Sequence, residues 1–315
     1  MTEVDEMNRK RQMTDSRHED AERTRSGRRA AIRAAMVFVL SATLAMIDPG
    51  PQASAEPVRS RFVEAELVSN VKTIEPGVPF EIALRLSMDP EWHTYWENPG
   101  DTGLATTLDI ELPDGFSSGE LRFPYPHRFE SGAYVSYGYE DDVLIVQTVT
   151  PPANLEAGKQ RYIGARAEWT VCREDLCMPG GADLGIELGY AQSGAGQPDG
   201  YWSKRIEANA PLIPQPAPDW TASGRVQARD VTVTLTRNGG SSHAPGTIEV
   251  FERQRGALDH ERHPQIETRE DRIEIRLGLA SKKTPDELEL VLVSSRGWTE
   301  DGTPRAIVIS APLSR

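Results

Sequence analysis

From residue 57 onward the chain is written in short runs of alternating apolar and polar residues, each closed by a turn that carries glycine or proline. Residues 62–68 and 80–86 alternate on either side of Glu75-Pro76-Gly77, and residues 107–112 end at Pro113-Asp114-Gly115. Residues 143–149 are almost continuously apolar, and residues 162–171 alternate again. Residues 184–188 follow Pro179-Gly180-Gly181, which reads as a further turn. A period of two places successive side chains on opposite faces of a pleated strand, and frequent Gly/Pro turns leave little room for long helices. Short strands at regular spacing are the pattern of a β-sandwich, so the fold class is all-β.

The first 55 residues follow different rules. Residues 1–27 are polar and charged without an apolar period, as in a disordered segment. A basic cluster, Arg28-Arg29-Ala30-Ala31-Ile32-Arg33, then precedes an apolar stretch over residues 34–47 and the small-residue end Ala53-Ser54-Ala55. Basic region, short apolar core and Ala-x-Ala, in that order, are the marks of a secretory signal peptide. Cleavage is expected after Ala55, and the apolar core is too short for a comfortable membrane span. No later apolar run approaches the roughly 20 residues of a membrane helix, so the exported chain is expected to be soluble and periplasmic. The net charge is −13, and the exported part keeps 26 basic against 40 acidic residues. So acidic a chain lacks the basic face that nucleic-acid binding requires.

The strand pattern breaks once. Residues 191–200 are small and polar, residues 202–208 suit one short helix, and Pro211, Pro214, Pro216 and Pro218 stiffen the chain beyond it. The expected organisation is therefore a leader and signal peptide over 1–55, a first domain over 56–190, a proline-rich linker with a possible short helix over 191–222, and a smaller second sandwich over 223–315. Five strand texts fill that last part, at residues 231–235, 247–251, 272–277, 288–293 and 306–309.

The chain has two cysteines, Cys172 and Cys177, both in the segment Trp169-Thr170-Val171-Cys172-Arg173-Glu174-Asp175-Leu176-Cys177-Met178-Pro179-Gly180. In an oxidising compartment two close cysteines are able to pair, and three readings compete. A structural bridge is the default for exported proteins, yet closing so short a ring stabilises by only ~2 kcal/mol, and a domain of this size needs no staple. A redox pair needs two neighbouring sulfurs, one of them reachable, so that a mixed disulfide can form and be resolved. Arg173 favours a thiolate there, while Glu174 and Asp175 oppose it. A metal site wants further ligands, and none of His18, His93, His127, His243, His260 and His263 lies near the pair in sequence. Haem attachment is excluded by the absence of C-x-x-C-H.

Four ordered motifs carry a resemblance: Trp92-His93-Thr94-Tyr95-Trp96-Glu97-Asn98-Pro99-Gly100-Asp101-Thr102-Gly103-Leu104, then Phe123-Pro124-Tyr125-Pro126, then Tyr137-Gly138-Tyr139-Glu140, then Trp169 to Cys172 with Cys177-Met178-Pro179. Over roughly residues 60–190 the chain resembles the N-terminal periplasmic domain of the DsbD and ScsB type of thiol–disulfide reductase, and its second half is similar to the longer ScsB-like members. The resemblance implies immunoglobulin-like sandwiches and a reversible Cys172–Cys177 disulfide, with Cys177 as the sulfur that joins a partner. It implies a cap loop around Tyr134, Tyr137, Gly138 and Tyr139 that shields the thiols or meets a partner. It implies no cofactor beyond the sulfurs. The electron donor would be a membrane reductase of the DsbD/CcdA type, because this sequence ends at Arg315 without the membrane and thioredoxin-like domains of such proteins. The acceptors would be oxidised periplasmic thioredoxin-like or isomerase proteins or the cytochrome c maturation route.

The rival reading is a non-enzymatic binding or assembly module with a structural disulfide, and a third is copper handling by the reduced pair. Trp92, Tyr95 and Trp96 read as core and turn residues that fix Asn98-Pro99-Gly100-Asp101, and His93 as a structural histidine. His260, Glu261 and His263 read as a solvated loop.

Overall fold

Why the alternating runs become strands is clear from where their apolar faces point. In the computed structural model, which describes residues 56–155, 160–174, 176–239, 243–269, 271–280 and 285–315, those faces close on two sandwich cores. The signal peptide and its cleavage after Ala55 lie outside the described residues. The strands of the first half are β1 (Val58–Ser60), β2 (Val63–Ser69), β3 (Val71–Ile74), β4 (Phe80–Met88), β5 (His93–Gly100), β6 (Thr107–Glu111), β7 (Ser117–Arg122), β8 (His127–Ser131), β9 (Tyr134–Glu140), β10 (Asp142–Thr150), β11 (Gln160–Arg173) and β12 (Leu176–Tyr190). One layer runs β1-β2-β4-β10-β7. The other contains β3-β12-β11-β5-β9-β8, with β6 also paired to β11. Leu67, Ile82, Leu84, Leu86 and Ile145 from the first layer meet Trp96, Tyr137, Ile163 and Trp169 from the second, all buried.

One expected turn is absent. Pro179-Gly180-Gly181 lies inside β12, where Thr170 opposes Pro179 and Trp169 opposes Gly180. Trp169 is the reason: a Cβ at position 180 would overlap its indole, so only glycine lets the strand pass. The proline is tolerated because β12 meets β3 only at Gly189 and Tyr190, which leaves an open edge beside Pro179.

The segment over 191–222 is docked rather than free. After β13 (Gln197–Pro198), Asp199 accepts hydrogen bonds from the amides of Tyr201 and Trp202 and starts α1 (Trp202–Asn209). Ile206 and Ile213 then pack on Val68, Ala83, Leu144 and Val146 of the first sandwich. The prolines beyond the helix do extend the chain, as β14 (Gln215–Pro216), but lay it parallel along β21 of the second sandwich.

That second sandwich comprises β15 (Trp220–Gln227), β16 (Asp230–Arg237), β17 (Ile248–Glu252), β18 (Gln265–Thr268), β19 (Arg272–Gly278), β20 (Glu287–Ser294) and β21 (Ala306–Ser314). The five expected strands are present; β15 and β18, with weaker apolar alternation, escape a sequence reading. β17-β20-β21 form one layer and β15-β16-β19-β18 the other, and β21 crosses between them by pairing with β15 at Leu313 and Ser314.

The described residues form one compact unit, because the two sandwiches share apolar surface: Phe251, Val291, Val293 and Ala306 belong to the first core. Polar pins flank this contact. His260 is buried, not solvated as its sequence neighbourhood suggests; its Nδ1 lies 2.7 Å from Asp101 Oδ1. Its Nε2 lies 3.2 Å from Glu252 Oε1, within ion-pair range but poorly aligned for a hydrogen bond. Burial opposes the charged imidazole, yet the contacts with Glu252 and Asp101 outweigh it and raise its pKa above the usual histidine value.

Two outcomes are expected from this packing. Gly138→Ala would drive a Cβ into the Thr94 carbonyl on the neighbouring strand, and is expected to lower stability by about 3 kcal/mol in urea unfolding. For His260 the folded-state pKa is the higher one. Its contribution is therefore full below the unfolded value near ~6.5 and is lost as pH rises through the elevated folded value. Urea midpoints of the parent chain should fall on alkalinisation through that window, and this fall should be absent in His260→Gln.

Candidate functional site

The two cysteines close the longest hairpin of the molecule. Cys172 near the end of β11 stands directly opposite Cys177 near the start of β12, and Arg173 opposite Leu176 leaves a two-residue turn. Glu174 in that turn has φ 51°. Facing residues of an antiparallel pair put their side chains on the same face, so the register alone brings the sulfurs together. They are bonded, with their Cα atoms 4.2 Å apart.

Their surroundings differ sharply. Cys172 is 1% exposed, whereas Cys177 and its neighbour Leu176 are open to solvent. On the buried side the Tyr95 hydroxyl donates to Cys172 Sγ at 2.9 Å and lies 3.9 Å from Cys177 Sγ. Tyr95 is itself buried, and burial raises its pKa, so it stays a neutral hydrogen-bond donor through the physiological range. It is held from both ends: its ring stands edge-on to His93 at 5.5 Å, and its carbonyl accepts from the Thr106 hydroxyl at 2.8 Å. His93 pairs with Cys172 across β5 and β11 and stacks on Phe129 of β8 at 4.5 Å. Burial lowers its pKa, so it sits beside the disulfide as a neutral imidazole. Arg173 is turned away from any thiolate role: its guanidinium lies 5.0 Å over the Trp92 ring and 3.7 Å from Glu91.

Trp92, Tyr95 and Trp96 are all in the core as read, but Tyr95 is also the side chain on the sulfurs, which the sequence reading missed. The available signal was its place three residues after Trp92 in the first motif. The cap expected around residues 134–139 is not a loop: these residues form β9, between β5 and β8. Tyr134 stands exposed at the hairpin tip. Tyr137 is buried edge-on to Trp96, and the Tyr139 hydroxyl donates to the Pro124 carbonyl at 2.6 Å. Gly138 opposes Tyr95 in the ladder and admits the close approach of the two strands. The strand period explains the outcome, since alternate side chains of β9 must enter the core. Among the described residues no group of three or more His, Cys, Asp or Glu side chains is arranged to hold a metal ion.

This architecture defines an immunoglobulin-like sandwich with a cysteine pair of unequal access on one hairpin. Residues 59–185 match the family model described as thiol:disulfide interchange protein DsbD, N-terminal, and this part of the chain is a domain of that family. The N-terminal periplasmic domain of ScsB from Proteus mirabilis has the same fold, with a TM-score of 0.57 at 15% identity, covering 82% of this chain and 98% of that one. A protein of unknown function from Porphyromonas gingivalis W83 aligns over 79% of this chain and 99% of its own at 8% identity, but with a TM-score of 0.21. No curated protein matches the sequence.

A hydrogen bond that reaches a sulfur favours the state in which that sulfur carries negative charge. Tyr95→Phe should therefore make the disulfide harder to reduce, moving its equilibrium with dithiothreitol toward the oxidised form by about tenfold, or ~30 mV.

Proposed function

We propose that this chain is a periplasmic thiol–disulfide interchange protein that carries reducing equivalents from a membrane reductase to oxidised exported proteins. The observation that carries the reading is the inequality of the two sulfurs: Cys177 is accessible, while Cys172 is buried against the Tyr95 hydroxyl.

The chemistry follows from that inequality. In the reduced protein the Cys177 thiolate attacks one sulfur of a partner's disulfide. That bond breaks, a partner thiolate leaves, and a Cys177–partner mixed disulfide forms. Cys172, as thiolate, then attacks Cys177 Sγ, expels the second partner sulfur and closes the Cys172–Cys177 bond. Two electrons have passed to the partner. Recharging runs backward: a donor thiolate attacks the exposed Cys177 and Cys172 departs as the leaving group. A buried thiolate has no water to solvate it, and the Tyr95 hydroxyl supplies the missing donor. Arg173 takes no part, being engaged with Trp92 and Glu91.

A membrane reductase of the DsbD/CcdA type is the proposed donor, and thioredoxin-like or isomerase proteins, or the cytochrome c maturation route, are the proposed acceptors. Tyr134 is the member of the β9 set that a docking partner can reach. Among the described residues no helix is long and apolar enough to cross a membrane.

A redox titration in glutathione or dithiothreitol buffers, with free thiols counted by mass, tests this. A potential of roughly −180 to −270 mV, with a trappable mixed disulfide on Cys177 in Cys172→Ala, is the expected result. A potential below about −300 mV with no adduct from either single-cysteine variant would leave a structural bridge and a binding module.

A further inference from the structure

Strand β5 does two things at once. Its first half carries Tyr95 to the disulfide, and its second half leaves the sheet. Tyr95 pairs with Gly138 and Gly100 with Ser136, so the four residues 96–99 are opposed by Tyr137 alone. Such a bulge forfeits its ladder bonds to β9 and must be held by something else. Three consecutive residues of the second sandwich, at and just past the end of β17, hold it. The Phe251 ring meets Trp96 edge-on at 6.3 Å and Tyr137 at 5.2 Å. The Glu252 carbonyl accepts from Asn98 Nδ2 at 2.8 Å, while Asn98 Oδ1 accepts the Gly100 amide at 3.0 Å. Arg253 grips Glu97 with both arms of its guanidinium, Nε to Oε1 at 2.8 Å and a terminal nitrogen to Oε2 at 3.0 Å. A two-pronged contact fixes direction as well as distance, which a single point charge does not.

We propose that the second sandwich positions the redox site, with Arg253 as the positioning residue: by clamping Glu97 it fixes the β5 bulge and thereby holds the Tyr95 hydroxyl on Cys172. Glu97 lies two positions after Tyr95, with only Trp96 between them. The Tyr95 carbonyl accepts from the Thr106 hydroxyl, and the chain just beyond it is anchored through the bulge. The second sandwich is then part of the redox apparatus although it contributes no atom to the sulfurs. Without it Glu97 would lose Arg253 and the Asn98 side-chain amide would lose the Glu252 carbonyl, so the bulge beside Tyr95 would lose these anchors.

The proposal rests on the role given to Tyr95, and the test separates the two. The disulfide equilibrium with dithiothreitol is measured for the full chain as parent, Arg253→Ala, Tyr95→Phe and the double variant. Positioning through Tyr95 predicts that Arg253→Ala shifts the equilibrium toward the disulfide by about fivefold in the parent background. In Tyr95→Phe it should shift by less than about twofold, because the interaction it acts through is already gone. Glu97→Gln keeps the side chain's shape, removes its charge and should reproduce the effect, so the test stands even if Arg253→Ala does not fold. No shift in a folded variant, or an equal shift in both backgrounds, would overturn the positioning role. Failure of the exchange reading itself shows elsewhere, as a parent chain that forms no mixed disulfide.

Discussion

A sulfur buried away from water is a poor leaving group unless something near it can receive the charge it acquires. At Cys172 that something is the Tyr95 hydroxyl, and most of the first sandwich is arranged around putting it there. The hairpin β11–β12 delivers the sulfur pair, β5 delivers the tyrosine, and β9 pairs closely with β5 at Gly138. The result is a disulfide with an outer and an inner face. The outer sulfur is exposed, and the inner one is buried beside the Tyr95 hydroxyl.

Charge plays little part in this site, which sets it apart from redox centres that depress a thiol with a nearby cation. The arginine in the turn is engaged by an indole and a glutamate, and the neighbouring histidine is neutral. What remains is a neutral donor in an apolar setting, where a single hydrogen bond counts for more than it would in water. The same setting leaves the inner sulfur buried. Tyr95, with the His93–Phe129 stack beside it, lies against that sulfur.

The second sandwich extends the same logic. It shares core with the first through Phe251, Val291, Val293 and Ala306, and then adds polar contacts with direction: Arg253 to Glu97, Asn98 to the Glu252 backbone, and His260 between Asp101 and Glu252. Several of these reach the bulge of β5. An apolar interface alone would hold the sandwiches together while letting them slide; hydrogen bonds to a bulge forbid sliding.

Much of this was legible in the residues by themselves. Alternation with a period of two is a local property, so it yields β2, β4, β10, β16, β19 and β20 without knowledge of any partner. The four ordered motifs carry the resemblance that implies the redox reading, whereas the spacing of the two cysteines by itself left a structural bridge open. What only the tertiary structure decided are the non-local matters. Pro179-Gly180-Gly181 looks like a turn until Trp169 is seen to need the space. That residues 134–139 form a strand on β5, with Tyr137 and Tyr139 buried, shows only in the pairing. His260 looks solvated until Asp101, 159 positions earlier in the chain, closes over it. Tyr95 reads as one core aromatic among three until the ladder sets it opposite Gly138, 43 positions later, and under Cys172, 77 positions later. Local periodicity records which face of a strand is apolar, whereas which neighbour that face meets depends on sheet order and register, and these are settled only when the whole chain packs.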